Sequence, residues 1–286
     1  SNGSNGSNMM LAELLAHEGA IRSAAFVLVL TILVVAERLR PFRGDNGPAR
    51  RRLRNYALVL IDSLLLRISF PVLAVGFSVI VADAGIGLFN RVPTPTGLAI
   101  ALSLLLLDLG IYWQHRLLHL VPALWRLHRV HHSDSVFDVS LGVRFHPIEI
   151  ALSMLWKLAL VALLGAPPLA VLIYEVLLSA ASLFAHADVT LPASVQPWLQ
   201  RILVTPDMHR VHHSVHRDET DSNFGSVLVL WDRCFGSFRL QPRNGQRAMQ
   251  FGTQGFEDPA SRTLVGLLLH PFRKVPSEPT AARSDR

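Results

Sequence analysis

Thirteen of the 286 residues are histidine, and eight of those thirteen fall into three short motifs. His115 and His119 form an HxxxH. His128, His131 and His132 form an HxxHH, and His209, His212 and His213 form a second. The hexapeptide HRVHHS occurs twice, at 128–133 and 209–214. On a helix, residues at i, i+3 and i+4 share one face, which is how a helix presents several imidazoles to one metal. Two copies of such a pattern are improbable by composition alone. One four-coordinate zinc cannot use eight ligands, so two metals are implied. Imidazole suits iron, zinc, copper or nickel, and ligand type alone leaves that choice open. The Glu and Glu-x-x-His ligands of soluble di-iron bundles are absent from these motifs. His17, His216 and His270 read as ordinary surface histidines.

The elements that must position these rings are apolar. Half of the chain is hydrophobic and 17% is charged, against about 25% charged in soluble domains. That balance excludes a disordered chain, a collagen-like fibre and a small disulfide scaffold, and it points to a membrane protein. Apolar segments run over 23–36, 55–82, 92–114, 147–166 and 167–185. The second is interrupted by Asp62, Arg67 and Pro71 and reads as one kinked helix or two half-helices. Two further stretches, 227–231 and 264–269, are too short to span. The expected fold is all-α and polytopic. It has about four to five membrane helices and a cytoplasmic helical cap carrying a dinuclear histidine metal site. Residues 1–8 read as an appended linker, and no signal-peptide cleavage pattern follows them. Residues 9–286 read as one catalytic domain, with membrane helices over about 20–186 and the cap over about 187–286. Cys234, the single cysteine, excludes an internal disulfide and a cysteine-ligated cluster, and reads as a packing residue.

Charge gives orientation. Arg38, Arg40, Arg43, Arg50, Arg51, Arg52 and Arg54 lie between the first two apolar segments, and the positive-inside rule puts that loop in the cytoplasm. Counting spans from there places 23 of the 27 lysines and arginines, and all the histidine motifs, on the same side. The net charge of +6 then suits anionic inner-leaflet lipids rather than nucleic acid. Arginine far outnumbers lysine, which favours a bacterial source and its inner membrane. The last two segments form a hairpin with its apex at Gly165, Ala166, Pro167 and Pro168. His146 and His186 each lie 20 residues from Ala166, so each arm spans about 30 Å and both rings reach the cytoplasmic face. Lys157 and Glu175 stand at equal depth near mid-membrane, where unpaired charge is costly, and are expected to face each other.

Asp108, Tyr112, His115 and His119 make one helical stripe. Histidines that bind metal usually donate their other N–H to a carboxylate or carbonyl. Asp108 and Tyr112 are therefore expected to hydrogen-bond to the ligands, Asp108 through a histidine of another helix. Asp188, Asp207 and Asp232 are further candidates for orienting ligands, and Asn223 for capping the last box. Arg116, Arg129 and Arg210 are expected to face away from the metals, toward headgroups or acidic partners.

The chain resembles the fatty acid hydroxylase / sterol desaturase superfamily of integral-membrane di-iron enzymes. The resemblance rests on HRLLH, the first HRVHH, RFHPIE at 144–149, FAH at 184–186, the second HRVHH, DSNFG at 221–225 and WDRCFGSF at 231–238. It implies two iron ions, zinc being possible as purified, with O2 as co-substrate and electrons from a separate donor. The reaction implied is hydroxylation or desaturation of a lipid C–H bond. The lipid would be a fatty acyl, sterol-like, ether or amino lipid that enters from the bilayer. Carried over by position, the ligands are His115, His119, His128, His131, His132, His209, His212 and His213. His186 fits the ligand between the two HxxHH boxes. Many relatives have a paired HxxxH there, but Ser182 holds the partner position, and His146 is the candidate to fill it. No flavin, nicotinamide, haem or iron–sulfur motif is evident, so a ferredoxin, cytochrome b5-like protein or reductase is the expected partner. The competing reading is a zinc-dependent lipid hydrolase, which would want a general-base carboxylate beside an open metal position.

Overall fold

The computed structural model describes residues 9–273 apart from 11, 46, 71 and 254–258. The segment 1–8, read above as a linker, lies outside the described residues, as does Pro71. Among the described residues the chain is helical, and strand pairing is confined to isolated bridges. Five stretches are long and apolar enough to cross a membrane: Glu18–Leu39, Ala49–Arg91, Thr96–Leu120, Pro147–Leu164 and Pro168–Ala185. The all-α, polytopic membrane fold expected from composition is the observed one.

Helix α1 (Glu18–Leu39) and helix α2 (Ala49–Ser69) have inverted amphipathy. On α1, Val27, Leu28, Ile32 and Val35 are exposed, whereas Glu37 is buried. On α2, Leu53, Leu60, Leu64 and Ile68 are exposed, and the buried stripe is Arg51, Asn55, Leu58 and Asp62. Apolar side chains outside and polar ones inside suit a lipid solvent. Helix α3 (Ala74–Asp83) completes the second apolar segment, which is thus two helices rather than one.

Helix α4 (Thr96–Leu120) carries HxxxH at its end. The chain turns at Val121, and Pro122 starts helix α5 (Pro122–His132), which carries the first HxxHH. Proline is favoured at a first helical position because its missing N–H has no partner there anyway. Proline also begins helix α6 (Pro147–Leu164) and helix α7 (Pro168–Ala185), the two arms of the hairpin. Gly165 ends α6 with φ +62°, the left-handed cap that glycine adopts without a steric cost. A side chain on Gly87 would meet the Gly165 backbone, so the loop after α3 abuts the hairpin apex. Leu107, Ile111, Met154, Val161, Val171 and Tyr174 form the core between α4, α6 and α7. The expected mid-membrane contact between Lys157 and Glu175 forms, and Arg22 joins it at 2.7 Å from Glu175.

Short helices joined by irregular segments follow, among them α8 (Gln196–Ile202), α9 (Pro206–His212), α10 (Leu230–Cys234) and α11 (Leu264–Leu269). The arginine-rich loop is tied to the chain just after α7. Phe42 N–H donates to the Asp188 carbonyl at 3.0 Å, Thr190 N–H donates to the Arg40 carbonyl at 2.8 Å, and the Asp188 carboxylate takes the N–H groups of Arg43 and Gly44. Arg51 pairs with Asp134 and Asp138, and Arg144 donates to Asn55 at 2.8 Å. Buried charges persist when paired in this way. The loop after α5 is thereby pinned to α2, and the basic loop and histidine boxes share one end of the bundle. Cys234, expected to pack, is exposed.

Candidate metal centre

Nine histidines gather into two sets where α4, α5, α7 and α9 meet. The first comprises His115, His119, His128, His132 and His212, and the second His131, His186, His209 and His213. Within each set one ligand atom per residue lies within 4.8 Å of all the others. His186 Nε2 stands 3.1 Å from His131 Nε2, 3.1 Å from His213 Nε2 and 2.9 Å from His209 Nε2. In the first set, His128 Nε2 lies 3.2 Å from both His115 Nε2 and His132 Nε2. Nitrogens about 2.0–2.1 Å from one metal are about 3 Å apart when at right angles. Nε2 of His119 and of His212 is buried without a hydrogen-bond partner. Converging imidazole nitrogens left unsatisfied by protein are what a pair of divalent metals requires, so the donor set fits.

Each HxxHH divides its histidines between the sets. His128 and His132 join the first and His131 the second, while His212 joins the first and His209 and His213 the second. The two sets therefore cannot be separated element by element, which suits two metals close together.

The outer nitrogens are held by groups that orient the rings. In the first set, His115 Nδ1 meets the Phe224 carbonyl at 2.9 Å and His212 Nδ1 the Ser222 carbonyl at 2.7 Å. His128 Nδ1 lies 2.8 Å from Glu149 Oε1, and His119 Nδ1 lies 3.2 Å from Asp221 Oδ1. In the second set, His131 Nδ1 meets the Arg144 carbonyl at 3.2 Å and His186 Nδ1 the Ser182 carbonyl at 2.7 Å. A donor bond at Nδ1 leaves Nε2 with a lone pair for metal. Burial, reinforced by neighbouring rings, holds His131, His132, His209 and His213 well below the usual histidine range. Burial brings His212 down to about 3. These imidazoles are neutral at any physiological pH, the form that binds metal.

His146 corrects the sequence expectation. It joins neither set. Its Nδ1 accepts from Ile148 N–H at 3.2 Å, and its Nε2 donates to the Leu268 carbonyl at 3.1 Å. It caps α6 and anchors α11, with no ring nitrogen left for a metal. Asp108 and Tyr112 are also placed differently. Asp108 accepts from Trp231 Nε1 at 2.9 Å, Leu228 N–H at 3.1 Å and Tyr174 OH at 3.2 Å, with no histidine among these. It clamps the loop before α10 onto the membrane helices. Tyr112 OH lies 2.8 Å from Ser237 Oγ, which donates to Asp232. Asp232 takes the N–H groups of Phe224 and Gly225, and so supports the carbonyl that holds His115. Asp188 and Asp207 bind backbone, Arg210 and glutamine rather than histidine. Asn223 has φ +52°, and its amide donates to the Met208 carbonyl just before the second HxxHH. His270, expected at the surface, is buried.

Glu149 and Asp221 are the carboxylates that reach the ligands, and the sequence reading did not assign them that role. Both stand in quoted segments, RFHPIE and DSNFG. Arg116 donates to Tyr112 OH at 3.1 Å and Arg129 to the His270 carbonyl at 3.2 Å. Arg210 pairs with Asp207, one of the acidic partners expected, and lies 4.1 Å from the Phe42 ring inside the protein.

A cavity of about 530 Å³ opens from His115, His128, His131, His186 and His209 into the membrane helices and reaches Lys157 and Glu175. Its walls are helical stripes, such as Glu149, Ser153 and Lys157 on α6 and Glu175, Ser179 and Ser182 on α7.

Residues 100–237 match the model of the fatty acid hydroxylase family. The ornithine lipid hydroxylase OlsE of Rhizobium tropici is 35% identical over 153 residues, covering 52% of this chain and 44% of that protein. The alkylglycerol monooxygenase of Homo sapiens is 33% identical over 134 residues, covering 47% of this chain and 29% of that one. The lathosterol oxidase of Homo sapiens is 29% identical over 168 residues, covering 57% and 52%. The chain thus spans about half or less of the length of these relatives. No solved structure matches it. The matched stretch carries all the histidine motifs and the loops whose carbonyls orient them, and over residues 100–237 the chain is similar to the fatty acid hydroxylase family.

Proposed function

We propose that the protein is an O2-dependent di-iron oxidoreductase that hydroxylates, or desaturates, a C–H bond of a membrane lipid. The observation that carries this reading is the cavity: it lies within the membrane helices and ends on histidines of both sets. The names of the relatives, a lipid hydroxylase, a monooxygenase and an oxidase, support the same chemistry. Residues 9–286 act in this proposal as one catalytic unit in a bacterial inner membrane, with the histidines on the cytoplasmic side.

Two irons, when bound, supply the activation of O2 for attack on an unactivated C–H bond. His115, His119, His128, His132 and His212 would hold one, and His131, His186, His209 and His213 the other. The backbone carbonyls of Phe224, Ser222, Arg144 and Ser182 fix the rings, so the ligand geometry is set before metal arrives. The cavity walls position the lipid and keep bulk water from the reacting carbon. In hydroxylation one oxygen atom of O2 enters the C–H bond and the other leaves as water, which consumes two electrons and two protons. A separate ferredoxin, cytochrome b5-like protein or reductase supplies the electrons, and the arginines at the histidine end provide its docking charge.

The test is reconstitution with Fe²⁺ under anaerobic conditions, followed by reductant, ¹⁸O₂ and total lipid extract. A lipid that gains one labelled oxygen is the expected product, or one that loses two hydrogens if the reaction is desaturation. Hydrolysis of a lipid by zinc-loaded protein, with no oxidised lipid from the iron-loaded protein, overturns the proposal in favour of a hydrolase.

A further inference from the structure

The cavity wall carries more charge than an alkyl chain requires. Asp62 of α2 is 4% exposed and lines the cavity, on the face opposite the exposed Leu60 and Leu64. Its Oδ1 is buried with no hydrogen-bond partner, and its side chain has no ion-pair partner among the described residues. Glu149 of α6 is 2% exposed and lines the same cavity. Its Oε1 is taken by His128 Nδ1, while Oε2 has no partner. The two acids are close enough for the charge of Glu149 to act on Asp62. The third acid of the wall, Glu175, is matched by two cations, Lys157 and Arg22. Eight residues separate Glu149 from Lys157 on α6, so the compensated acid lies about 12 Å deeper than the uncompensated pair.

Asp62 Oδ1 and Glu149 Oε2 are thus buried carboxylate oxygens without a protein donor, and a neutral alkyl chain supplies none. A hydroxyl brings one donor and no charge. A primary ammonium brings three donors and the charge that two carboxylates lack. We infer that Asp62 and Glu149 Oε2 form a cation-accepting subsite beside the histidines, and that the lipid substrate carries a primary amine held there. The substrate class named here rests on the oxygenase reading above, whereas the subsite itself does not.

The experiment compares dodecylamine with dodecanol, each titrated into the purified full chain in non-ionic detergent, with binding read by thermal shift. The native protein is expected to prefer the amine by about tenfold or more, since charge-assisted hydrogen bonds are roughly twice as strong as neutral ones. Asp62→Asn is expected to abolish that preference. Asp83→Asn, which alters an exposed acid outside the cavity lining, is expected to keep it. A second measurement needs no variant: dodecylamine, but not dodecanol, is expected to protect Asp62 of the native protein from a hydrophobic carbodiimide, read by peptide mass spectrometry. Equal binding of the two probes, a preference that survives in Asp62→Asn, or equal protection by both would overturn the subsite. Loss of oxygen incorporation into every lipid, with amine binding intact, would instead overturn the oxygenase reading alone.

Discussion

The two histidine sets are built from the same boxes but supported differently. The first has five rings and two carboxylates behind them, Glu149 on His128 and Asp221 on His119. The second has four rings, and the support seen behind it is the backbone carbonyls of Arg144 and Ser182. A carbonyl fixes a ring's orientation, whereas a carboxylate also raises the ring's basicity and its hold on metal. By that support the first set would hold a metal more tightly, and the second offers one ligand fewer. The position that would supply a paired HxxxH is Ser182, whose hydroxyl donates to the Gly142 carbonyl.

The largest effect is expected from removing a ligand. His212→Ala and His209→Ala should each retain one metal per chain, and lipid oxidation should fall by more than about 100-fold in both. Elemental analysis of the purified variants checks this. Retention of two metals by either one breaks the division into sets.

Glu149→Gln keeps the shape but removes the charge behind His128. Affinity for one metal should fall about 10- to 100-fold and affinity for the other should hold, as read by competition with a chelator. Equal weakening of both sites would mean that carboxylate support is not confined to the first set.

Asp221→Asn should cost less, under about tenfold at the same site, because solvent screens this pair. Its carboxylate is 29% exposed and shared with Arg217 at 2.6 Å.

The smallest effect sharpens the contrast from outside both sets. His146→Ala should leave two metals bound while the loss of the α6 cap costs about 1 kcal/mol of stability. A thermal melt should show a small drop. A metal count of one would restore His146 as the missing ligand of the second set.

Much of this arrangement was legible in the chain. Inverted amphipathy follows from residue type, so the membrane helices and the Lys157–Glu175 contact could be read by counting from the hairpin apex. Three histidines within five residues are likewise a local signal. His146 misled because equal depth on two hairpin arms does not mean equal direction. Its ring turns back to cap its own helix. Asp108 misled because a carboxylate inside a span needs donors of any kind, and a loop 120 residues away supplied them. The carbonyls of 222 and 224 and the side chain of Asp221 belong to irregular backbone, which has no periodicity to follow.

The sequence by itself singled out the three histidine motifs and the chemical class of the site, and it placed His115, His119 and His186 at the ends of membrane helices. Tertiary structure decided which histidine serves which set. At about 100° per residue, rings at i and i+4 diverge by about 40° while those at i+3 and i+4 diverge by about 100°. One HxxHH can thus serve either one metal or two. That choice was made by the packing of α5 and α9 against α4 and α7, which set His128 and His132 toward one centre and His131 toward the other.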